Sequence, residues 1–307
     1  MLTPAPSRDR VWLAYAALLV AVSGVAWSAI FIRWSAVPGP SSAFYRVFIA
    51  ALVLLPWRAL SSPSGRRRTA IARANRRSLL LAFAGGVFFG LDLAFYNTAV
   101  MRTTATMATL LGNNAPIFVG IGTWLLFKRP PPRRYWAGLA LAMSGAVIVM
   151  IAMTGSQGRS GDLGGAFMSL AAAVFFAAYL LATEHVREQM DTLTFNAVAI
   201  AGSVVTLLVV CLMVDAPLAG YSGRTWMALL ALGLISQLGA YLALTYALGH
   251  LPATVTSVGL LAQVPLTAIL AVPLLGEPLT TSYLAGGTLV LTGIYVVNSG
   301  RAEARSA

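Results

Sequence analysis

FYNTAVMRTTATMATLLGNNAPIFVGIGTWLLF, residues Phe95–Phe127, reads again about 149 residues later as LTYALGHLPATVTSVGLLAQVPLTAILAVPLLG, residues Leu244–Gly276, in register through Pro116 and Pro265. Each half of the chain has room for five apolar spans around its copy. An odd number of spans forces the two copies into opposite orientations in a bilayer. Inverted repeats that meet near the membrane midplane are how many secondary carriers build a site reachable from either side. The repeat therefore predicts a transporter with a central cavity between its halves.

Composition supports a membrane setting. The chain has 307 residues, of which 58% are hydrophobic and 10% charged, whereas a water-soluble globule carries roughly a quarter charged residues. A span needs about 20 mostly apolar residues. Ten are expected, at 11–33, 41–57, 79–101, 104–127, 134–153, 163–184, 193–213, 224–248, 252–275 and 281–298. The expected fold is an all-α integral membrane protein of ten transmembrane helices, arranged as two inverted five-helix repeats around a central cavity. Residues 1–153 form the first repeat and 154–307 the second.

The net charge of +12 reads as topology. With the N-terminus inside, 16 of the 21 Lys and Arg residues fall on cytoplasmic segments, including the run Arg66-Arg67-Arg68. Four fall outside, and Arg46 lies within a span. That bias predicts cytoplasmic termini. It leaves the basic run in contact with anionic lipid rather than with nucleic acid. The N-terminus lacks an apolar stretch ending in a small-residue cleavage site, so the first span is expected to be retained. The lone cysteine, Cys211, reads as a packing residue. A bacterial inner membrane is the expected home. Membrane lipid and a small-molecule substrate are the expected partners, with no cofactor and no metal. The oligomeric state is left open, and a monomer is compatible with the reading.

The prolines mark where chemistry could sit. Pro116 and Pro265 fall inside the fourth and ninth expected spans, where each lacks an N–H and frees the carbonyl four residues earlier, on Gly112 and Leu261. Asn113, Asn114 and Gln263 stand beside them, with Asn114 aligned to Gln263. Lipid can satisfy neither opened backbone nor amides, so these residues are expected to line a wet cavity; bridging between neighbouring helices is the plainer alternative. Asp92 is the only acidic residue well inside a span, roughly 13 Å from its outer end at 1.5 Å per residue. Such carboxylates often mark a substrate or proton path. A fixed ion pair with Arg46 is the structural alternative.

Phe88, Asp92, Phe95 and Tyr96 share one helical face. Gln237 and Tyr241 match Phe88 and Asp92 in the second half, Thr245 matches Tyr96, and Trp27 aligns with Tyr179. These residues describe an aromatic cavity with a few hydrogen-bonding groups, suited to a small, partly apolar solute. Plain packing produces the same stripe. Matched glycines, Gly138 and Gly145 in the fifth span and Gly286 and Gly293 in the tenth, are expected where helices approach closely. Glu184, His185 and His250 are expected to be interfacial and solvated, and Glu277 to make a helix-end contact. The chain has two histidines and no phosphate-binding loop, His-Glu-x-x-His or Gly-x-Ser-x-Gly, which argues against an enzyme.

VAWSAIFIRW (Val25–Trp34), the arginine-led YRVFIAALVLLP (Tyr45–Pro56), the two proline-centred segments and LLGEPLTTSYLAGGTLVLTGIYVV (Leu274–Val297) together resemble the EamA branch of the drug/metabolite transporters. The resemblance covers essentially the whole chain. Lys128-Arg129 departs from it, standing where an acidic residue is common in the first half. The resemblance is closest to bacterial exporters of aromatic and other neutral amino acids. It implies alternating access, with spans one, three, four, six, eight and nine near the path. Substrate contact is then expected from Trp27, Asp92, Tyr96, Asn113, Asn114, Tyr179, Gln237, Tyr241 and Gln263, with Arg46, Pro116 and Pro265 in structural or gating roles. A carrier of nucleobases, nucleotide-sugars or lipids, and a non-transporting scaffold, are the alternatives.

Overall fold

The computed structural model describes residues 8–60, 75–102, 111–154, 163–275 and 281–306. The run Arg66-Arg67-Arg68, Glu277 and residues 103–110 of the fourth expected span lie outside the described residues. The helices are α1 (Arg8–Ser35), α2 (Gly39–Leu60), α3 (Arg76–Arg102), α4 (Ala115–Phe127), α5 (Arg133–Thr154), α6 (Leu163–Arg187), α7 (Thr192–Met213), α8 (Gly223–Leu248), α9 (Ala253–Gly259), α10 (Gln263–Leu275) and α11 (Thr281–Ser306). Among the described residues, six helices are long and apolar enough to cross a membrane: α1, α2, α3, α6, α7 and α8. The rest of the expected ten spans are shorter apolar helices or fall short of that standard. The described parts of the fourth and ninth spans each carry an irregularity just before their proline. A turn at Asn113–Asn114 precedes α4, and a 3-10 turn over Leu260–Ala262 separates α9 from α10.

The break before α4 corrects the expected place of Pro116, which sits in the first turn of that helix with Asn114 as N-cap. Near a helix start the missing N–H is no loss, because the first amides have no partner within the helix. Pro265, the third residue of α10, differs: the backbone stays right-handed helical from Gly259 through Gln263, whose N–H bonds to the Leu260 carbonyl, so this proline sits inside a continuing helical run.

Many small side chains lie in the bundle interior, beside large ones such as Phe195 and Leu180. Ala14, Ala21, Ala50, Ala82, Ala142 and Ala172 are fully or nearly buried, while Trp12, Leu19, Leu126, Leu212 and Met227 are exposed. Lipid offers no hydrophobic drive between helices, so close contact between small residues holds the bundle together. The expected glycine pairs do this directly. A Cβ on Gly145 would lie 2.5 Å from the Gly286 carbonyl oxygen, and one on Gly293 would lie 2.5 Å from that of Gly138, so α5 and α11 touch backbone to backbone. Gly86 brings α3 closer still to the backbone of Ala199 in α7, and Gly233 brings α8 against Ile49 of α2. Helix α3 packs on α6 and α7, and α8 packs on α1 and α2. These pairings exchange when the first five segments are swapped for the last five.

Candidate functional site between the two halves

Among the polar links that join the halves, two involve residues singled out in the sequence. Arg46 of α2 donates from Nε to Oε1 of Gln237 at 2.7 Å and from Nη1 to Ser28 Oγ at 3.1 Å. Gln263 Nε2 donates to Asn113 Oδ1 at 3.3 Å. The sequence aligned Gln263 with Asn114, but Asn113 is the residue that meets it. Asn114 instead turns back, its Nδ2 donating to the Leu111 carbonyl at 3.0 Å where the chain breaks before α4.

Gln237 owes its position to an irregularity in α8. Residues Leu232–Gly239 form a π-helix, a form found mostly as short bulges, frequently at functional sites, in which an extra residue shifts the side chains around the axis. This stretch buries Ser236 and Gln237. The matching stretch of α3, around Phe88, is ordinary α-helix. The halves therefore differ where the sequence aligned them.

Aromatic rings surround the Arg46 link. The guanidinium lies over Tyr241, 5.4 Å from its ring centroid, and the attraction of a cation to a ring face holds it there. Tyr241 packs on Phe89 at 4.6 Å and on Tyr179 at 6.2 Å. Phe88 and Phe95, flanking Asp92, both pack on Phe175 of α6. Trp27 stacks on Phe31 of its own helix at 5.6 Å, and the Tyr96 ring lies against Gly112. The Pro116 carbonyl accepts from the Tyr135 hydroxyl. Asp92 is half-buried. Among the described residues it forms no hydrogen bond and no ion pair, so the expected alternative of a fixed pair with Arg46 is not what the structure holds.

A small cavity opens beside this group, between α2, α3, α6, α7 and α8. Tyr179 and Gln237 line it, together with Phe89, Asn196 and Ser203. Its volume of ≈ 20 Å³ is enough for about one water and too small for a metabolite. The sequence had not singled out α7. Its one signal was Asn196, the only amide in an otherwise apolar run, and that side chain accepts from Thr245 Oγ1 at 3.4 Å. Ser203 ties α7 to α3 by donating to the Gly86 carbonyl at 2.7 Å.

The ends of the helices also carry structure. Glu184 is not a freely solvated group: its Oε2 accepts from the Ala253 amide at 3.0 Å, at the start of α9. His185 stacks on Phe127 and His250 packs on Tyr246, both half-buried. Asp191 caps α7 by accepting from the Thr194 amide at 3.0 Å. Burial alone would raise its pKa, but the Thr194 hydrogen bonds and the charges of Arg58 and Arg187 outweigh it and hold the carboxyl below its ordinary value.

The chain matches the EamA-like transporter family twice, over residues 11–151 and 163–299. It belongs to that family. Family membership makes it a multi-pass membrane protein of a transporter class rather than one expected to catalyse a reaction. It is similar to an uncharacterized transporter of Archaeoglobus fulgidus, 28% identical and covering 84% of this chain and 86% of the relative. It is also similar to the uncharacterized transporter YwfM of Bacillus subtilis, 27% identical and covering 74% and 76%. A solved crystal structure, 18% identical, superposes with a TM-score of 0.76 over 94% of this chain and 96% of that one. That likeness bears on the fold.

Proposed function

We propose that this family member exports small metabolites, foremost aromatic and other neutral amino acids, across the bacterial inner membrane by alternating access. Its halves, 1–153 and 154–307, act as inverted five-helix repeats that rock about the seam between them, with both termini in the cytoplasm. The observation that carries this reading is the seam itself. Arg46 to Gln237 and Asn113 to Gln263 are polar contacts across the halves, within a wall of Tyr179, Tyr241 and Phe89. Side-chain hydrogen bonds of this kind are individually weak in a bundle. They can break and re-form as the halves move. Aromatic faces with a few fixed polar groups suit a small amphipathic solute.

Ligand-dependent stability tests the substrate class. A ligand that binds the folded state stabilises it by about 2.7 kcal/mol at a hundred times its dissociation constant. Melting the purified protein against neutral and aromatic amino acids should therefore raise its midpoint, while nucleobases, nucleotide-sugars and added lipid should not. A shift with nucleobases alone would reassign the solute.

A further inference from the structure

Arg46 is buried with an incomplete set of hydrogen bonds. It is 6% exposed, its Nε and Nη1 are engaged by Gln237 and Ser28, and one face rests on Tyr241. Its Nη2 has no hydrogen-bond partner. A buried charged donor left unmatched is costly. The group that best completes a guanidinium is a carboxylate, which takes two parallel N–H bonds.

Asp92 is the only carboxylate well inside a span. The helices that carry Arg46 and Asp92, α2 and α3, pack on each other, and Phe89, one turn before Asp92, packs on Tyr241 at 4.6 Å. Yet Arg46 and Asp92 form no ion pair within 4.0 Å. A purely structural pair would close, because opposite charges in a low-dielectric bundle attract strongly. Here the arginine is held off by side chains from two other helices, Gln237 of α8 and Ser28 of α1. The Gln237 contact depends on the π-helical stretch and crosses between the halves. Two opposite charges thus stand unpaired on neighbouring helices, with Tyr241 against the arginine and against Phe89, one turn from Asp92.

The geometry points to Arg46 and Asp92 as the two poles of a zwitterion site: Nη2 of Arg46 takes the carboxylate of an α-amino acid, Asp92 takes its ammonium, and Tyr241 forms one wall. This rests on the amino-acid reading above and goes beyond it by assigning each charge of the solute a partner. Arg46 Nη2 is sealed from solvent in this conformation, so the solute reaches it in another state of the cycle. Because Gln237 shares the same guanidinium, a bound carboxylate competes for one of the links between the halves, which couples recognition to their movement.

Competition in proteoliposomes tests the assignment without any variant. Counterflow of labelled L-phenylalanine, L-leucine and L-threonine is measured against unlabelled L-phenylalanine, its amide, which lacks the carboxylate, and 3-phenylpropionate, which lacks the ammonium. The amide and the phenylpropionate should each compete at least about tenfold more weakly than phenylalanine, since a site built around a polar group rejects an analogue lacking it. In Arg46→Gln the preference for phenylalanine over its amide should fall to within about twofold, with the preference over phenylpropionate kept. Asp92→Asn should show the reverse. Equal competition by all three compounds in the wild type, with counterflow intact, overturns the zwitterion site and leaves amino-acid transport standing. Absence of counterflow with all three amino acids, from folded protein, overturns both.

Discussion

Asp191 shows how much a single end-of-helix charge can do. Its carboxylate caps α7 and sits near Arg58 and Arg187. Because its pKa in the fold lies below the ordinary value of 3.8, the stability it contributes is fully present above about pH 4 and is lost as pH falls through the folded value. Melting wild type and Asp191→Asn from pH 7 to pH 3 should show a wild-type advantage that shrinks below about pH 4, and a constant difference would sink the assignment. Tyr241 is the second test at this scale. Tyr241→Ala leaves a cavity between Phe89, Tyr179 and Arg46, costing on the order of 2 kcal/mol at ~24 cal/mol per Å³, and should alter substrate preference. Tyr241→Phe keeps the ring and should melt within about 0.5 kcal/mol of wild type, so equal melting of the alanine variant would argue against a packed wall. The sequence made Asp92, Tyr241 and Gln237 legible because polar groups are conspicuous in apolar helices. It did not reveal that Arg46 bonds Gln237, or that Glu184 caps α9, because those partners are far apart in the chain and only packing joins them.

Elements were legible where their signal is local. The glycine spacing of the fifth and tenth spans marked faces of close approach, though not that α5 and α11 meet each other, and packing there leaves no room for a methyl group. Gly293→Ala should cost about 1–3 kcal/mol through overpacking, whereas Gly223→Ala, with open space around it, should stay within about 0.5 kcal/mol. Thermal unfolding in detergent checks both, and equal melting would mean that the two helices part without cost. Hydropathy averaged over a span placed Pro116 inside a continuous helix, although it begins α4. The two amides of Asn113–Asn114 are a local polar signal that a span-length average dilutes, and the apolar stretch Leu260–Ala262 carries none. The π-helical stretch in α8 had no signature, since LGLISQLG reads as well in an ordinary α-helix. It arises where Gly233 lets α8 approach Ile49 of α2.

At the scale of the molecule, the repeat gave two halves before any contact was known, and the family match falls in two copies. Helix pairings that exchange between the halves are what two structurally matched repeats would give. What the sequence left open was the state of the central space: the described cavity holds about one water, so the solute must enter another conformation than this one. The central claim is that the chain carries amino acids through such a cycle. Counterflow tests it most directly, using purified protein in liposomes preloaded with neutral and aromatic amino acids and labelled substrate outside. Transient accumulation of label above its equilibrium level, dependent on the preload, is the expected result. No accumulation from folded protein that is active in orientation and insertion controls would contradict the account.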